Sequence, residues 1–332
     1  MFKDIKEIEN NLKLFFRIKK KEAKSFSNDI FKAISYLEDF TMRGGKRIRA
    51  LLMILGYQAA GGKDLNSILK VSICPELVHS FLLIHDDIID DDDIRRNGYT
   101  VHKSFQKKYS VKSSSDLAMI TGDICLCYGL EPLIDSNFNS SFKIKAINKL
   151  GKIIKNTCYG EFMDVVSVKN NTSIKDIQKV HEYKTAKYTI SGPLQLGAIL
   201  AGSNDKILNV FDKFGLYLGL AFQLKDDILG IFGNQEKLGK PIGSDIREGK
   251  KTLLVLKANS KYINRRLGKK VSLQELNKIR KILIQSGSLE YSEKLIKKLI
   301  NKARKVLADN KIPKKEKQIL FEFCDYLNKR EL

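Results

Sequence analysis

Apolar residues recur at three- and four-residue spacing along nearly the whole chain, and this periodicity restricts the fold more than any other feature. Ile48, Leu51 and Leu55 are an example, since such spacing places the side chains on one face of an α-helix. The alternation typical of strands is absent, and no segment repeats with a period of 20–50 residues. The pattern predicts helices over residues 48–57, 75–90, 116–130, 143–166, 174–188, 191–201, 207–232, 273–286, 290–308 and 314–327.

No Pro-, Gly- or Ser-rich linker divides these helices. Short glycine-containing turns separate them, as at Gly61-Gly62 and Gly202-Ser203. With 332 residues, of which 43% are hydrophobic, the chain can bury a sizeable core, which excludes a disordered or collagen-like protein. We therefore expect an all-α fold in which residues 1–332 form one domain, a helical bundle around a central elongated cavity.

The cysteines and the N-terminus indicate the cellular compartment. Five cysteines, an odd number, lie mostly in apolar segments, as expected of reduced thiols. The N-terminus alternates in charge and lacks a secretory pattern. The apolar runs are far shorter than the roughly 20 residues that cross a bilayer. The sequence predicts a cytoplasmic protein without a membrane span.

The chain is strongly basic, with a formal net charge of +22. Such a charge invites a nucleic-acid-binding interpretation. The densest basic runs, 17–24, 294–305 and 311–317, lack the interleaved aromatic residues of a base-stacking surface. We expect a solvated basic face and no nucleic-acid partner, and contact with an anionic membrane stays open as an alternative.

Two acidic clusters are the strongest chemical signal. Six of the eight residues from 86 to 93 are aspartates, which repel one another at the end of an apolar helix. Asp86 and Asp90 are four residues apart and share a face, and few carboxylates completed by water and phosphate are the pattern of Mg²⁺ sites. Asp226 and Asp227 lie late in a second apolar helix. Facing one another, the clusters would hold several metal ions around one polyanion, although solvated acids in a loop are the alternative.

Basic residues near the first acidic cluster suggest a separate phosphate site. Gly44 and Gly45 precede a helix whose Lys46 and Arg49 share a face, while Arg47 is expected to face away. Arg95 and Arg96 follow the aspartates, and arginine binds phosphate oxygens in a bidentate manner. We therefore expect two phosphorylated substrates, one bound through metal ions and one through cationic side chains.

The ordered motifs resemble those of trans-isoprenyl diphosphate synthases, the polyprenyl synthetase family. The similarity covers about residues 40–256, is weaker toward the end, and is greatest to archaeal-type short-chain geranylgeranyl diphosphate synthases. The motifs are GGKRIR at 44–49, ELVH at 76–79, HDDIID at 85–90 followed by Arg95 and Arg96, TVH at 100–102, GD at 122–123, GEFMD at 160–164, KTA at 184–186, FQLKDD at 222–227 and GKPIGSD at 239–245.

This resemblance implies a Mg²⁺-dependent prenyltransferase that condenses isopentenyl diphosphate with dimethylallyl, geranyl or farnesyl diphosphate. It also implies a homodimer and three metal ions per active site, with Mn²⁺ as an alternative. The implied metal ligands are Asp86, Asp90 and Asp226. The implied diphosphate ligands are Arg95, Lys184 and Lys240 on the allylic substrate, and Lys46, Arg49, His79 and Arg96 on isopentenyl diphosphate. The implied catalytic groups facing the allylic cation are the main-chain carbonyl of Lys184, the hydroxyl of Thr185 and the amide of Gln223.

One position departs from the family pattern. The second acidic motif commonly ends in a third aspartate, but Gly230 stands there. We still expect metal binding through Asp226, with a contribution from Asp245 through water.

Product length follows from the residues before Asp86. Phe81 lies five residues earlier, about 7.5 Å along a helix, and is bulkier than Leu82 and Val78. A phenylalanine at this position resembles the pattern of family members that make a twenty-carbon product. We therefore expect the product to be geranylgeranyl diphosphate. A farnesyl diphosphate synthase and a non-catalytic subunit of a heteromeric synthase are the alternatives. A terpene cyclase is disfavoured because it would not need the Gly-Gly-Lys-Arg segment. A squalene-type enzyme is disfavoured because such enzymes usually contain a different pair of motifs.

Overall fold

The structure, a computed structural model, describes residues 2–169, 172–233 and 242–329 and is almost entirely helical there. The helices are α1 (Phe2–Phe26), α2 (Asn28–Met42), α3 (Ile48–Ala59), α4 (Leu65–Val71), α5 (Cys74–Ile89), α6 (Val101–Phe105), α7 (Val111–Ile134), α8 (Ser140–Lys169) and α9 (Ile174–Val180). A π-helix at His181–Ser191 precedes α10 (Gly192–Leu200), α11 (Asp205–Phe232), α12 (Ser244–Arg247), α13 (Leu253–Ala258), α14 (Lys261–Asn264), α15 (Leu273–Gln285), α16 (Ser288–Ala308) and α17 (Lys314–Lys329). The all-α prediction is confirmed.

Three features differ from the sequence prediction. Helices α1 and α2 were not predicted, although Ile8, Leu12 and Phe16 are spaced by four residues and fully buried. The predicted helix 174–188 is divided between α9 and the π-helix. A two-stranded antiparallel hairpin, β1 (Ile94–Arg95) and β2 (Gly98–Tyr99), follows the first acidic cluster. Its strands are two residues long, too short to show an alternating pattern.

The chain divides into two compact units. The first holds the residues up to Asn148 together with Leu196–Gly202, and the second holds Lys149–Gln195 and the residues from Ser203 onward. Helix α8 therefore begins in the first unit and ends in the second, and α10 does the reverse. The expectation of a single domain stays a prediction.

In the first unit, α5 packs along α7. Helix α5 has Pro75 in its first turn, where the missing N–H costs nothing, and buries Leu77 and Ile84. Glycines let the two helices approach closely, since a Cβ on Gly129 would lie 2.8 Å from Val78 Cγ2. This packing positions the last turn of α5, which carries the first acidic cluster.

In the second unit, α11 packs against the π-helix and α16. A Cβ on Gly219 would lie 2.4 Å from Ala186 Cα, so only glycine permits this approach of α11 to the π-helix. Asn204 caps the start of α11 through the N–H of Lys206, and capping boxes begin α9 and α15. The second acidic cluster lies near the end of α11.

Two helical stretches of the described chain are long and apolar enough to cross a membrane by length and composition, Leu65–Ile89 and Val111–Ile134. Their uninterrupted apolar runs are short, as the sequence analysis noted, because polar and charged residues such as Lys70, Glu76 and Asp123 interrupt them. The share buried inside the structure is 67% for the first and 33% for the second. Core helices of globular proteins have the same composition, so this finding is a weak indicator of a membrane span.

Candidate active site

The first acidic cluster begins in the last turn of α5 and continues beyond the end of that helix at Ile89. The Asp90 N–H donates to the Asp86 carbonyl at 2.8 Å, so the helical turn continues through both residues. The Asp86 side chain is 16% exposed, whereas the neighbouring Asp87 is fully buried. Asp86 and Asp90 thus offer carboxylate oxygens from one helical face, a donor set that fits Mg²⁺.

Arg95 contacts several aspartates of this acidic cluster. Its guanidinium donates to Asp87, to Asp86 Oδ2 at 2.8 Å and to Asp92 Oδ2 at 3.5 Å. Burial opposes the charge on Arg95, but the charges of Asp87 and Asp86 outweigh it and raise its pKa. Arg95 therefore holds the acidic turn in place, whatever it contributes to a substrate.

The hairpin returns the chain to α5. Arg96 and Asn97, both with positive φ, form the turn between β1 and β2. Arg43, at the end of α2, donates to the carbonyls of Arg95 (3.2 Å) and Tyr99 (2.7 Å). It lies against Gly98, where a Cβ would be 1.9 Å from Arg43 Nη1. No role for Arg43 was predicted, because no local pattern connects it to a hairpin more than 50 residues away in the chain.

Three predicted residues, Arg49, His79 and Arg96, lie in a cationic cluster. Arg47, which was expected to face away, is its fourth member. Arg96 Nη2 lies 3.4 Å from His79 Nε2. Burial, and then the charges of Arg49 and Arg96, hold the pKa of His79 well below 6.5. Burial and the charge of Arg47 lower the pKa of Arg96 to about 10. Like charges packed this closely are typical of a site for an anion.

The Gly-Gly segment before α3 leads into this cluster. Gly44, Gly45 and Arg47 all have positive φ. Arg47 is 2% exposed, donates to the Thr41 carbonyl at 3.0 Å and lies 3.6 Å from Glu76. Its side chain thus points into the core, while Lys46 in the same turn is exposed.

The second acidic cluster belongs to a hydrogen-bond chain in the second unit. Thr185 Oγ1 donates to Gln223 Oε1 at 2.6 Å, and Gln223 Nε2 donates to Asp227 Oδ1 at 2.8 Å. Burial raises the pKa of Asp227 to about 7, although the hydrogen bond from Gln223 acts in the opposite direction. Asp227 is therefore committed to orienting the amide, and Asp226, which is partly exposed, is the ligand of this pair that fits a metal ion.

The π-helix carries both Thr185 and Lys184. Lys184 Nζ lies 2.7 Å from Glu161 Oε2 and 2.8 Å from Asp164 Oδ2, on α8. These two acids belong to the GEFMD motif, but the sequence alone assigned them no role. His181 Nε2 lies 3.4 Å from Asp227 Oδ2. Single π-helical segments are frequent at functional sites.

The departure at Gly230 has a structural counterpart. A Cβ on Gly230 would lie 3.2 Å from Asp245 Oδ2, and the Gly243 N–H donates to the Gly230 carbonyl at 2.8 Å. The carboxylate of Asp245 therefore lies where a side chain at position 230 would begin. Lys240, predicted to bind diphosphate, lies outside the described residues.

The predicted chain-length residues lie on α5. Phe81 is 6% exposed and contacts the His85 ring edge-to-face, with centroids 4.8 Å apart. Val78 is buried against Gly129, and Leu82 is partly exposed. All three precede Asp86 on the same helix.

Fold and site define an all-α protein whose carboxylates and clustered cations suit polyanionic ligands. The polyprenyl synthetase family model matches residues 31–283. The geranylgeranyl diphosphate synthase of Methanosarcina mazei is 33% identical over 91% of this chain and 90% of its own length. That of Saccharolobus solfataricus is also 33% identical, over 96% and 95%.

A solved structure gives the same result. The geranylgeranyl pyrophosphate synthase of Corynebacterium glutamicum, complexed with isoprenyl diphosphate and magnesium, superposes with a TM-score of 0.93 at 29% identity and covers 99% of both chains. The chain belongs to the polyprenyl synthetase family. The prediction of a prenyltransferase enzyme is thereby confirmed.

Proposed function

We propose that this protein is a short-chain trans-prenyltransferase that condenses isopentenyl diphosphate with dimethylallyl, geranyl or farnesyl diphosphate and releases geranylgeranyl diphosphate. The observation that carries this proposal is a carboxylate cluster and a cationic cluster held side by side by the consecutive residues Arg95 and Arg96. Relatives over nearly the full chain are named for this product. Both clusters are intact, which disfavours a non-catalytic subunit, and the farnesyl alternative is left to the product assay.

The allylic diphosphate would be bound through Mg²⁺, held by Asp86, Asp90 and Asp226, at three ions per active site, with Mn²⁺ able to replace it. Bound there, the metal supplies positive charge to the leaving diphosphate. The chain's own contribution would be the positive charges of Arg95, Lys184 and Lys240, which would stabilise the charge that develops as the C–O bond breaks.

Isopentenyl diphosphate would be bound by Arg49, His79 and Arg96 of the cationic cluster together with Lys46, while Arg47 is held in the core by Thr41 and Glu76. The negative charge of its diphosphate would offset the repulsion between these positively charged side chains. His79 would be neutral, because its pKa is held below 6.5, and would donate a hydrogen bond to a phosphate oxygen.

The allylic cation would face oxygen atoms from the π-helix and α11. The hydrogen-bond chain from Thr185 through Gln223 to Asp227 fixes the orientation of the Gln223 amide. The Lys184 carbonyl would add a further dipole. These groups stabilise positive charge without reacting, and the departing diphosphate would accept the proton.

Product length would be set by Phe81, with Leu82 and Val78 as the smaller neighbours along α5. A bulky ring one and a half turns from Asp86 leaves room for a chain of limited length. This placement supports a twenty-carbon product.

We also propose a cytoplasmic homodimer without a nucleic-acid partner. Helix α7 exposes large apolar side chains, among them Met119 (48%) and Ile120 (56%), which suits a contact with a second copy. Exposed lysines on α16 leave peripheral contact with an anionic membrane open.

The test is an incubation of the purified protein with Mg²⁺, isopentenyl diphosphate and each allylic starter in turn, with the products sized by chromatography. We expect a twenty-carbon diphosphate that is not formed in the presence of EDTA. A fifteen-carbon product would favour the farnesyl alternative. Absence of any product with all three starters would contradict the proposed function.

A further inference from the structure

His85 has no part in the mechanism above, yet its ring lies in a fixed position between α5 and α7. Its Nε2 is 3.2 Å from the Met119 carbonyl oxygen and 3.4 Å from Asp123 Oδ1. Because a carbonyl oxygen only accepts hydrogen bonds, Nε2 carries the proton. The imidazole is thereby attached to the backbone of α7.

Helix α7 has a notch for this ring. A Cβ on Gly122 would lie 2.5 Å from both Cδ2 and Nε2 of His85, so any larger residue would displace the imidazole. The Gly122-Asp123 dipeptide thus has a physical role, since the glycine makes room for the ring and the aspartate lies beside its nitrogen.

The imidazole also contacts the ring of Phe81. The two ring centroids are 4.8 Å apart with an interplanar angle of 67°, an edge-to-face geometry that aromatic pairs favour. Phe81 and His85 are four residues apart on α5, and His85 takes up the space on that side of the Phe81 ring.

We propose that His85 is a positioning residue for product length: held in the notch of α7, its ring keeps Phe81 in the orientation that stops chain growth. This inference rests on the proposed function and on Phe81 as the residue that stops chain growth. It adds His85, and a glycine on a neighbouring helix, to the determinants of product size.

Two variants separate the ring from the hydrogen bond. His85→Gln keeps a donor for the Met119 carbonyl but removes the ring, whereas His85→Phe keeps a ring and removes the donor. With farnesyl diphosphate as starter, we expect His85→Gln to raise the ratio of longer products to the twenty-carbon product roughly three- to tenfold, the size of one aromatic contact. His85→Phe should stay nearer to wild type.

Gly122→Ala tests the notch without touching the histidine. It should shift the product ratio in the same direction as His85→Gln, whereas Gly151→Ala, a helical glycine with open space around its Cβ position, should not. In a Phe81→Ala background, which should itself give longer products, His85→Gln should add nothing further.

The results distinguish this inference from the proposed function. A wild-type protein without any prenyl diphosphate product would contradict both. Active His85→Gln and Gly122→Ala variants with the wild-type product ratio would contradict the inference alone. A loss of turnover at an unchanged ratio, as expected if His85 only supported the neighbouring Asp86, would also overturn it.

Discussion

Arg95 and Lys103 explain how a run of aspartates is tolerated at the end of α5. Arg95 pairs with three of these carboxylates and Lys103 with two others. The repulsion that is evident in the sequence is therefore offset by residues that follow the run. Asp86 and Asp90 keep the helical geometry that a metal site needs, because the turn that carries them is held by Arg95.

Asp86→Asn should lower kcat/KM for the allylic substrate by about 100-fold or more, because it would remove a proposed metal ligand and its charge from the proposed diphosphate site. Steady-state kinetics with farnesyl and isopentenyl diphosphates measure this effect. Asp116→Asn, an exposed acid paired with Lys112, is the matched control. Turnover within a few-fold of wild type would contradict the metal assignment.

Asp245→Asn should raise the Mg²⁺ concentration for half-maximal activity about tenfold, the usual size of an effect beside a metal ligand. The reason is that Asp245 Oδ2 lies near the Cβ position of Gly230 and would replace the missing carboxylate. A Mg²⁺ titration of activity is the measurement, with exposed Asp309→Asn as control. An unchanged Mg²⁺ requirement would show that Asp245 has no part in the metal site.

Individual site residues were predictable where the pattern is local. Asp86 and Asp90 stand out because acids end an apolar helix, and Lys46 and Arg49 because a Gly-Gly pair precedes them. Other contacts depend on partners that only tertiary packing brings near. These are the hydrogen bond between Gln223 and Asp227, the ion pair of Lys184 with Glu161 and the contact of Arg43 with the hairpin. No rule of sequence spacing predicts these contacts.

At the scale of elements, periodicity predicted the long helices but not how they end or deform. Residues 174–188 were predicted as one regular α-helix, but in the structure a π-helix begins at His181. A π-helix needs stabilisation by its neighbours, here the glycine face of α11. The hairpin after Asp93 depends on positive φ at Arg96 and Asn97. Asparagine favours that conformation but arginine does not, so the sequence indicates this turn only in part.

Gly219→Ala should destabilise the fold by about 1–3 kcal/mol, because its Cβ would overlap Ala186 and overpacking costs that much. Gly151→Ala, with open space around it, should instead stabilise the helix by about 0.5–1 kcal/mol. Urea unfolding of both variants gives the comparison. Equal stabilisation by the two substitutions would contradict the close approach of α11 to the π-helix.

At the scale of the molecule, buried histidines give the stability a pH dependence. Burial is the main reason that the pKa values of His79, His102 and His181 are lowered. Below pH 6.5 the unfolded chain binds protons that these native histidines do not, so the free energy of unfolding falls as the pH falls. Asp227, with a pKa raised to about 7, acts with the opposite sign between about pH 4 and 7.

The free energy of unfolding should therefore decrease between pH 6.5 and 5, by up to about 1.4 kcal/mol per pH unit for each histidine, with one histidine offset by Asp227. Urea titrations across this range measure the slope. His102→Gln should reduce this slope by up to about 1.4 kcal/mol per pH unit, the contribution of one proton. A variant with the wild-type slope would show that His102 titrates normally in the folded protein.

The proposed dimer makes a prediction about α7. Ile120→Glu places a charge in the exposed apolar face of α7 and should weaken self-association at least tenfold, because burying an unpaired carboxylate is costly. Sedimentation at micromolar concentration is the measurement. Leu273→Glu, at a residue 78% exposed on α15, is the control. A monomeric wild type would contradict the dimer itself.

The hairpin turn has one further consequence. Arg95 reaches the carboxylates and Arg96 reaches His79, yet their Cα atoms are neighbours, about 3.8 Å apart. One peptide unit therefore links the acidic cluster to the cationic cluster, the two proposed diphosphate sites. An insertion or deletion in this two-residue turn would change the register of the two clusters, and with it the distance over which the two proposed substrates meet.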